Sequence, residues 1–279
     1  MSSTQILALG TVAGSTIFLG LPVGRLQTAG LRLKAWLSAA ATGILLFLLV
    51  DVLTNGVDPV ESALSRAQEG GSWGRFAALA ALLAGGVALG VMSLVYYDRW
   101  MKRERDRAML GPGAASAAEF EPSWIVGLTP ARWLALLIAT GIGLHNFSEG
   151  LAIGQAGARG AISLAVVLIV GFGLHNATEG FGIVAPLAGR DRPSWRFLGL
   201  LGLIGGGPTF VGTLIGQSWV SEPLAVAFLA LAAGSILYVV VELINVNRQL
   251  ASKTVVMWGL LAGLVLGFAT ELVVAAAGA

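Results

Sequence analysis

Two long apolar stretches decide the fold of this chain: residues 132–157, RWLALLIATGIGLHNFSEGLAIGQAG, and residues 161–188, AISLAVVLIVGFGLHNATEGFGIVAPLA. As a helix that rises about 1.5 Å per residue, each is long enough to cross the roughly 30 Å hydrocarbon core of a membrane. Near its centre each carries the phrase Gly-Leu-His-Asn-x-x-Glu-Gly, and the two copies contain both histidines of the chain. Ionisable side chains at membrane depth cost roughly 2.5–3.5 kcal/mol each, so they mark functional residues by default. The repetition therefore predicts one site shared by two membrane-spanning helices.

The composition of the whole chain also indicates a membrane protein. Of its 279 residues, 56% are hydrophobic and only 11% are charged, whereas a soluble domain carries about 25% charged residues. We predict an all-α polytopic membrane protein whose single transmembrane domain, residues 1–279, contains eight helices. The predicted spans are about 5–23, 35–53, 76–97, 132–157, 161–188, 197–217, 222–245 and 254–278. A loop at about 98–131 follows the third span, and its first ten residues could continue that helix.

The distribution of basic residues predicts the orientation. Fourteen of the 17 Lys and Arg residues lie in or beside the loops that follow the first, third, fifth and seventh spans. Because cytoplasmic loops are enriched in Lys and Arg, both termini are predicted to face outward. These residues flank the spans and the net charge is only +2, so no nucleic-acid partner is expected. The chain has no cysteine, which excludes a disulfide framework and a thiolate metal site, and its first residues lack the basic region of a cleavable signal peptide.

The repeated phrase has the composition of a metal site. His145 precedes Glu149 by four residues, and His175 precedes Glu179 by four residues. On a helix this spacing puts each imidazole on the same face as its carboxylate. The connection between the two spans is short, so we predict antiparallel neighbours with both pairs at mid-depth. A hydrogen-bonded His–Glu clasp would account for one pair, but two matching pairs favour a site of two nitrogens and two oxygens that suits zinc.

Other residues of the two phrases are candidates for a supporting role. Asn146 and Asn176 follow the histidines about 100° further round each helix. Their amides could reach a second ion, orient the ligands, or simply join helices by hydrogen bonds. Ser148 and Thr178 are predicted to donate to a carbonyl one turn back, and they are included in a possible pathway.

Acidic residues outside the phrases are further candidates for the ion pathway. Asp51, near the outer end of the second span, could attract cations or merely mark the end of a helix. Glu242, near the cytoplasmic end of the seventh span, could be an exit ligand or a residue that extends to the interface. Glu271, in the outer half of the eighth span, has no partner visible in the sequence. Pro186 and Pro208 are predicted to break or bend their helices.

The paired phrase resembles the signature of the ZIP family of divalent metal transporters. His-Asn-x-x-Glu-Gly occurs on two consecutive spans of an eight-span chain with outward termini and a long third loop, so the resemblance covers essentially the whole chain. It implies a ZIP-like bundle, in a cell membrane of prokaryotic inner or plasma type, that carries ions toward the cytoplasm and is not an enzyme. Zinc is the expected substrate, with iron, manganese, cobalt or cadmium in some members, and no cofactor is implied. The metal ligands it implies are His145, Asn146, Glu149, His175, Asn176 and Glu179.

The chain departs from the usual pattern of this family at several positions. Many members have proline where this chain has Ser148 and Thr178, and a histidine near Asp51 is common. Many members also place a glutamate beside the proline of the sixth span, where this chain has Gly207. Without that carboxylate, the resemblance does not imply a complete two-metal centre.

Different functions remain as alternatives to zinc import. A membrane-embedded zinc hydrolase would need three ligands, a bound water and a general base, and no separate base is evident. A bis-histidine haem protein would leave both glutamates without a role. A transporter that prefers iron or manganese stays open because imidazole and carboxylate tolerate those ions. The glycine-rich spans, in a chain with 39 glycines, also allow a homodimer within the lipid bilayer.

Overall fold

The described residues fold mainly as α-helices. The computed structural model describes residues 2–26, 30–110, 128–158, 162–189, 192–218 and 221–276, with side chains described outside 104–110, 162–170 and 274. Within these ranges there are helices and turns and no strands, which confirms the all-α prediction. Most of the predicted third loop, residues 111–127, lies outside the described ranges, as do residues 159–161 of the short connection.

Nine α-helices are described, and each predicted span overlaps with one or more of them. The first span corresponds to α1 and α2 followed by a 3₁₀ turn, and α3 to α9 correspond to the second to eighth spans. The α-helices are α1 Ser3–Ser15, α2 Ile17–Gly20, α3 Leu31–Gln68, α4 Trp73–Leu110, α5 Pro130–Ala158, α6 Ile162–Val184, α7 Trp195–Gly216, α8 Glu222–Leu250 and α9 Lys253–Ala276. The 3₁₀ turns are Leu21–Arg25 and Ala185–Leu187.

Seven segments of the described chain are long and apolar enough to cross a membrane. They are Ser3–Arg25, Leu31–Gln68, Trp73–Arg103, Pro130–Ala158, Trp195–Gly216, Glu222–Leu250 and Lys253–Val273. This confirms a polytopic helical membrane protein. Helix α6, the predicted fifth span, has 23 residues but is not among the seven. The eighth crossing and the outward termini therefore stay predictions.

The second and third helices are longer than their predicted spans. Helices α3 and α4 each have 38 residues, about 57 Å at 1.5 Å per residue. The hydropathy of α3 falls after Asp51, yet the helix continues because Val60 and Ala63 are buried against Leu79 and Val226. This second apolar cluster lies beyond the predicted span. At the other end of α4, the helix continues through the first residues of the predicted loop to Leu110.

Two prolines affect their helices differently. Pro186 lies in the 3₁₀ turn Ala185–Leu187 that follows α6, as expected of a residue that cannot continue the hydrogen-bond ladder. Pro208 lies inside α7, which continues to Gly216. The carbonyl of Ile204, which Pro208 cannot bond, packs against Gly143 of α5, where a methyl group would overlap with it. Glycine at position 143 thus lets α5 lie directly against α7.

The helices form two groups that meet beside the repeated phrases. One group contains α1, α5, α6 and α7, and the other contains α3 packed against α4, α8 and α9. The groups join where α5 packs on α8 and where α6 packs on α3. Both helices that carry a phrase therefore contact both groups.

Candidate metal centre

Three side chains from α5 and α6 converge on one buried point. The Oε1 atom of Glu149 lies 3.0 Å from Nε2 of His145 and 2.6 Å from Nε2 of His175. The candidate ligand atoms of these three residues all lie within 4.8 Å of one another. Two imidazole nitrogens and a carboxylate oxygen are a donor set that zinc and similar divalent ions accept.

The three ligands differ in burial. The side chains of His145 and Glu149 are 1% and 4% exposed, and that of His175 is 11% exposed. A carboxylate this deeply buried is costly unless a positive charge or several hydrogen-bond donors compensate for it. A cation held between the imidazoles and the carboxylate would provide that compensation.

Glu179 is placed differently from the pairing that its spacing predicts. It is fully buried and lies outside the group of three, although its sequence position matches that of Glu149. Its Oε2 atom accepts a hydrogen bond of 3.3 Å from Nδ2 of Asn146. Its spatial partner in α5 is thus an amide, while His175 of its own helix contacts Glu149 instead.

The two asparagines join the phrase helices to their neighbours. Besides Glu179, the Nδ2 atom of Asn146 donates to the carbonyl of Gly205 in α7, at 3.0 Å. The Nδ2 atom of Asn176 donates to the carbonyl of Ala13 in α1, at 3.2 Å. Both amides are fully buried. The interhelical hydrogen bonding that the sequence left open therefore occurs at both positions.

Several buried polar atoms around this point lack a hydrogen-bond partner within the described residues. Well over nine in ten buried backbone groups, and most buried side-chain polar atoms, are normally hydrogen-bonded. Nε2 of His145 is among these atoms because its contact with Glu149 lacks hydrogen-bond geometry. The atoms are Nδ1 and Nε2 of His145, Oδ1 of Asn146, Oε2 of Glu149, Oδ1 of Asn176 and Oε1 of Glu179. The oxygens can each donate a lone pair to a cation, and so can one ring nitrogen of a neutral His145, whose other ring nitrogen carries a hydrogen.

The hydroxyls of the two phrases bond to the backbone as predicted. Ser148 donates to the carbonyl of His145, and Thr178 donates to the carbonyl of His175, both at 2.7 Å. These bonds fix the hydroxyls one turn back along each helix. They also place each hydroxyl beside the backbone of a candidate ligand.

A cavity beside α6 reaches His175. It has a volume of about 160 Å³ and lies between α3, α6 and α9. Its polar lining consists of Asp51, His175, Thr178, Thr270 and Glu271. Asp51 accepts a hydrogen bond from Asn55 at 3.1 Å and interacts electrostatically with Glu271. This proximity of Glu271 to Asp51 is not visible in the sequence because α3 and α9 are far apart along the chain.

Glu242 belongs to a different cluster. It interacts electrostatically with Asp98 and Lys102 of α4. Lys102 pairs with Asp98, whose other oxygen accepts a hydrogen bond of 3.2 Å from Nε1 of Trp133. Among the described residues, Glu242 is not part of the group formed by the two histidines and Glu149.

Two backbone carbonyls near the site could not be predicted from the sequence. The carbonyls of Gly205 and Ala13 accept from the two asparagines, and no residue type signals such a role. Gly207, where the resemblance stated above would have placed a glutamate, faces open space: a methyl group there would have no neighbour within 4 Å. The described part of α7 thus offers the site a backbone oxygen at Gly205 rather than a carboxylate at Gly207.

The chain was compared with known protein families. Residues 122–275, more than half of its length, match the family model described as ZIP zinc transporter. The matched segment contains both phrases and helices α5 to α8 with most of α9. No curated protein matches the chain. Members of the matched family are multi-pass membrane transporters of divalent metals rather than enzymes. The chain therefore belongs to the ZIP family of zinc transporters.

Proposed function

We propose that this protein carries divalent metal ions, zinc first among them, toward the cytoplasm through a site between α5 and α6. The observation that carries the proposal is the position of Glu149 between His145 and His175, at 3.0 and 2.6 Å. Ligand atoms about 2.0–2.2 Å from a tetrahedral zinc ion are about 3.4 Å apart. Opening each contact by less than about 1 Å would therefore admit the ion.

Glu179 and the asparagines complete the proposed site. A fourth zinc ligand is needed for a tetrahedron, and the unpartnered Oε1 of Glu179 or a water could supply it. Asn146 would orient Glu179 through its hydrogen bond, and its own Oδ1 and that of Asn176 remain available as weaker ligands. The same donors accept iron or manganese, so zinc is preferred here on the family description and on the two imidazoles.

The cavity lined by Asp51 and Glu271 is the proposed entrance. Two carboxylates would raise the local concentration of cations, and His175 would take the ion from the cavity to the buried ligands. Ser148 and Thr178 would act indirectly, because their hydroxyls hold the backbone carbonyls of His145 and His175. Release would follow when the helix groups rearrange and open the site to the other side of the membrane. Glu242 and Asp98 offer carboxylates for that stage.

The alternatives fit the described geometry less well. A haem held by two histidines needs the porphyrin between the imidazoles, where the carboxylate of Glu149 contacts both. A hydrolase could use the same three ligands with Glu179 as base, but the family match favours transport. We place the protein in a cell membrane of prokaryotic inner or plasma type. The exposed faces of α4 and α9 would contact lipid or a second copy of the chain.

Uptake into liposomes tests this proposal. The purified full-length chain is reconstituted with a zinc-sensitive dye inside, beside Glu149→Ala, His175→Ala and the control Glu69→Gln, which changes an exposed acid. We expect uptake by the unmodified protein and the control and none by the two site variants. If folded protein binds metal but takes up no zinc, iron or manganese, the embedded enzyme becomes the better account.

The orientation can be tested separately. The chain has no cysteine, so Glu69→Cys and Arg103→Cys each create a single thiol at an exposed position near opposite ends of the bundle. An impermeant maleimide applied to right-side-out vesicles should label Glu69→Cys at once and Arg103→Cys only after permeabilisation. The reverse order would place the termini inside and contradict import.

A further inference from the structure

A groove at the junction of α8 and α9 lies apart from the metal centre. Its volume is about 510 Å³, and Ile244, Val256, Met257 and Leu260 form apolar walls. Ala251, Arg248 and Lys253 complete the lining, and the last two are the basic residues of the groove. The groove thus combines a surface suited to hydrocarbon with two positive charges.

The groove lies at the end of two membrane spans. Helix α8 ends at Leu250 and α9 begins at Lys253, and both are candidate membrane-crossing segments. The connection between them is therefore near the membrane surface, at the end of the bundle where most basic residues cluster in the sequence. This is the depth at which lipid headgroups meet acyl chains.

The two positive charges have no acidic partner in the described part of the chain. Other basic residues do: Arg75 pairs with Glu222, and Lys102 pairs with Asp98. Arg248 and Lys253 form no ion pair or hydrogen bond with the described residues, and both are exposed. An anion from outside the described residues would compensate for them.

The helix dipole explains only one of these charges. Arg248 lies in the last turn of α8, where a cation interacts favourably with the helix C-terminus. Lys253 is the first residue of α9, where the positive end of the helix makes a cation unfavourable. The helix dipole thus accounts for the position of Arg248 and does not account for that of Lys253.

We propose that this groove binds an anionic phospholipid. The phosphate lies between Arg248 and Lys253, and an acyl chain lies along Ile244, Val256 and Leu260. Basic pockets between transmembrane helices bind anionic headgroups in this way. A zwitterionic lipid would leave the two charges without net compensation, and free phosphate would leave the apolar walls without an occupant.

Lipid binding to the purified full-length protein tests the proposal. Phosphatidylglycerol is titrated into the protein in neutral detergent, and bound lipid is counted by native mass spectrometry. The test variant is Arg248→Gln/Lys253→Gln. The matched control is Arg99→Gln/Arg103→Gln, which removes two exposed positive charges from α4. We expect the apparent affinity to fall about tenfold or more in the test variant and to stay unchanged in the control.

Two further arms separate charge from shape. Arg248→Lys/Lys253→Arg keeps both charges and should retain the affinity. Phosphatidylcholine should bind the unmodified protein no better than it binds the test variant. Equal losses in the test and control variants, or no loss in either, would overturn the proposal. So would phosphatidylcholine bound as tightly as phosphatidylglycerol.

Discussion

The two copies of the phrase have almost the same sequence and different surroundings. GLHNFSEG and GLHNATEG agree at six of eight positions. In the first copy His145 contacts Glu149 of its own helix, whereas in the second copy His175 contacts Glu149 across the helix pair. Glu179 of the second copy instead accepts a hydrogen bond from Asn146. The two copies therefore supply the same types of ligand, but helix packing brings the carboxylate of Glu149, rather than that of Glu179, into contact with both histidines.

The difference arises from the neighbours of each helix. Helix α5 lies directly against α7, where Asn146 reaches the carbonyl of Gly205. Helix α6 has α1 on one side, where Asn176 reaches Ala13, and the cavity on the other side. His175 is consequently 11% exposed and His145 only 1%. The first copy is the buried half of the site, and the second is the half that the cavity reaches.

The largest expected effect is on zinc affinity, and it should differ between substitutions of the two glutamates. Glu149→Gln should lower the zinc affinity by more than about a hundredfold because it replaces the carboxylate between both imidazoles with a neutral amide, while Glu179→Gln should cost about tenfold. Zinc titration calorimetry on the purified proteins measures both. Equal losses would mean that the two copies contribute equally.

Substitutions of the two asparagines should change different properties of the protein: zinc affinity for Asn146 and stability for Asn176. Asn146→Ala removes the donor to Glu179, so we expect about a tenfold loss of zinc affinity. Asn176→Ala should leave the affinity within about threefold but lower the stability by about 1–3 kcal/mol, because the carbonyl of Ala13 loses its buried donor. Calorimetry and thermal unfolding with and without zinc distinguish the two. A loss of affinity confined to Asn176→Ala would reverse their assigned roles.

Chemical modification compares the histidines directly. Diethylpyrocarbonate acylates accessible neutral imidazoles, so His175 should react several times faster than His145, and zinc should protect both. Peptide mass spectrometry gives the two rates in one sample. Faster modification of His145 would contradict the position of the cavity.

The smallest expected effect concerns the proposed entrance. Asp51→Asn with Glu271→Gln should lower the initial uptake rate about threefold at low ionic strength, and less at high salt, because the two charges attract ions without ligating them. The matched control is Glu61→Gln, an exposed acid of α3 outside the cavity lining. A loss of uptake rate that does not depend on salt, or the same loss in the control, would contradict the proposal that this cavity is the entrance.

Much of the fold followed from the sequence because hydropathy reports burial in lipid directly. Each predicted span overlaps with a described helix. The extension of α3 to Gln68 did not follow from hydropathy, because Val60 and Ala63 are buried by α4 and α8 in a segment with a polar outer face. Its apolar spacing of three to four residues was the available signal.

The sequence also predicts which residue types could bind a metal at the candidate site, but it does not predict which of these residues contact one another. A spacing of four residues predicts His145 with Glu149, and this contact occurs. The same spacing predicts His175 with Glu179, and His175 contacts Glu149 instead, because the relative rotation of α5 and α6 is set by packing on other helices. Glu271 lies near Asp51 because α9 packs against α3, and this packing is not visible in the sequence.

A zinc-bound structure with anomalous scattering measured at the zinc edge tests the central claim most directly. We expect a peak about 2.0–2.2 Å from Nε2 of His145, Nε2 of His175 and a carboxylate oxygen of Glu149. Loss of that peak in Glu149→Gln would confirm the shared carboxylate. A strong zinc peak elsewhere in the bundle, for example between Asp98 and Glu242, with none at the two histidines, would contradict it.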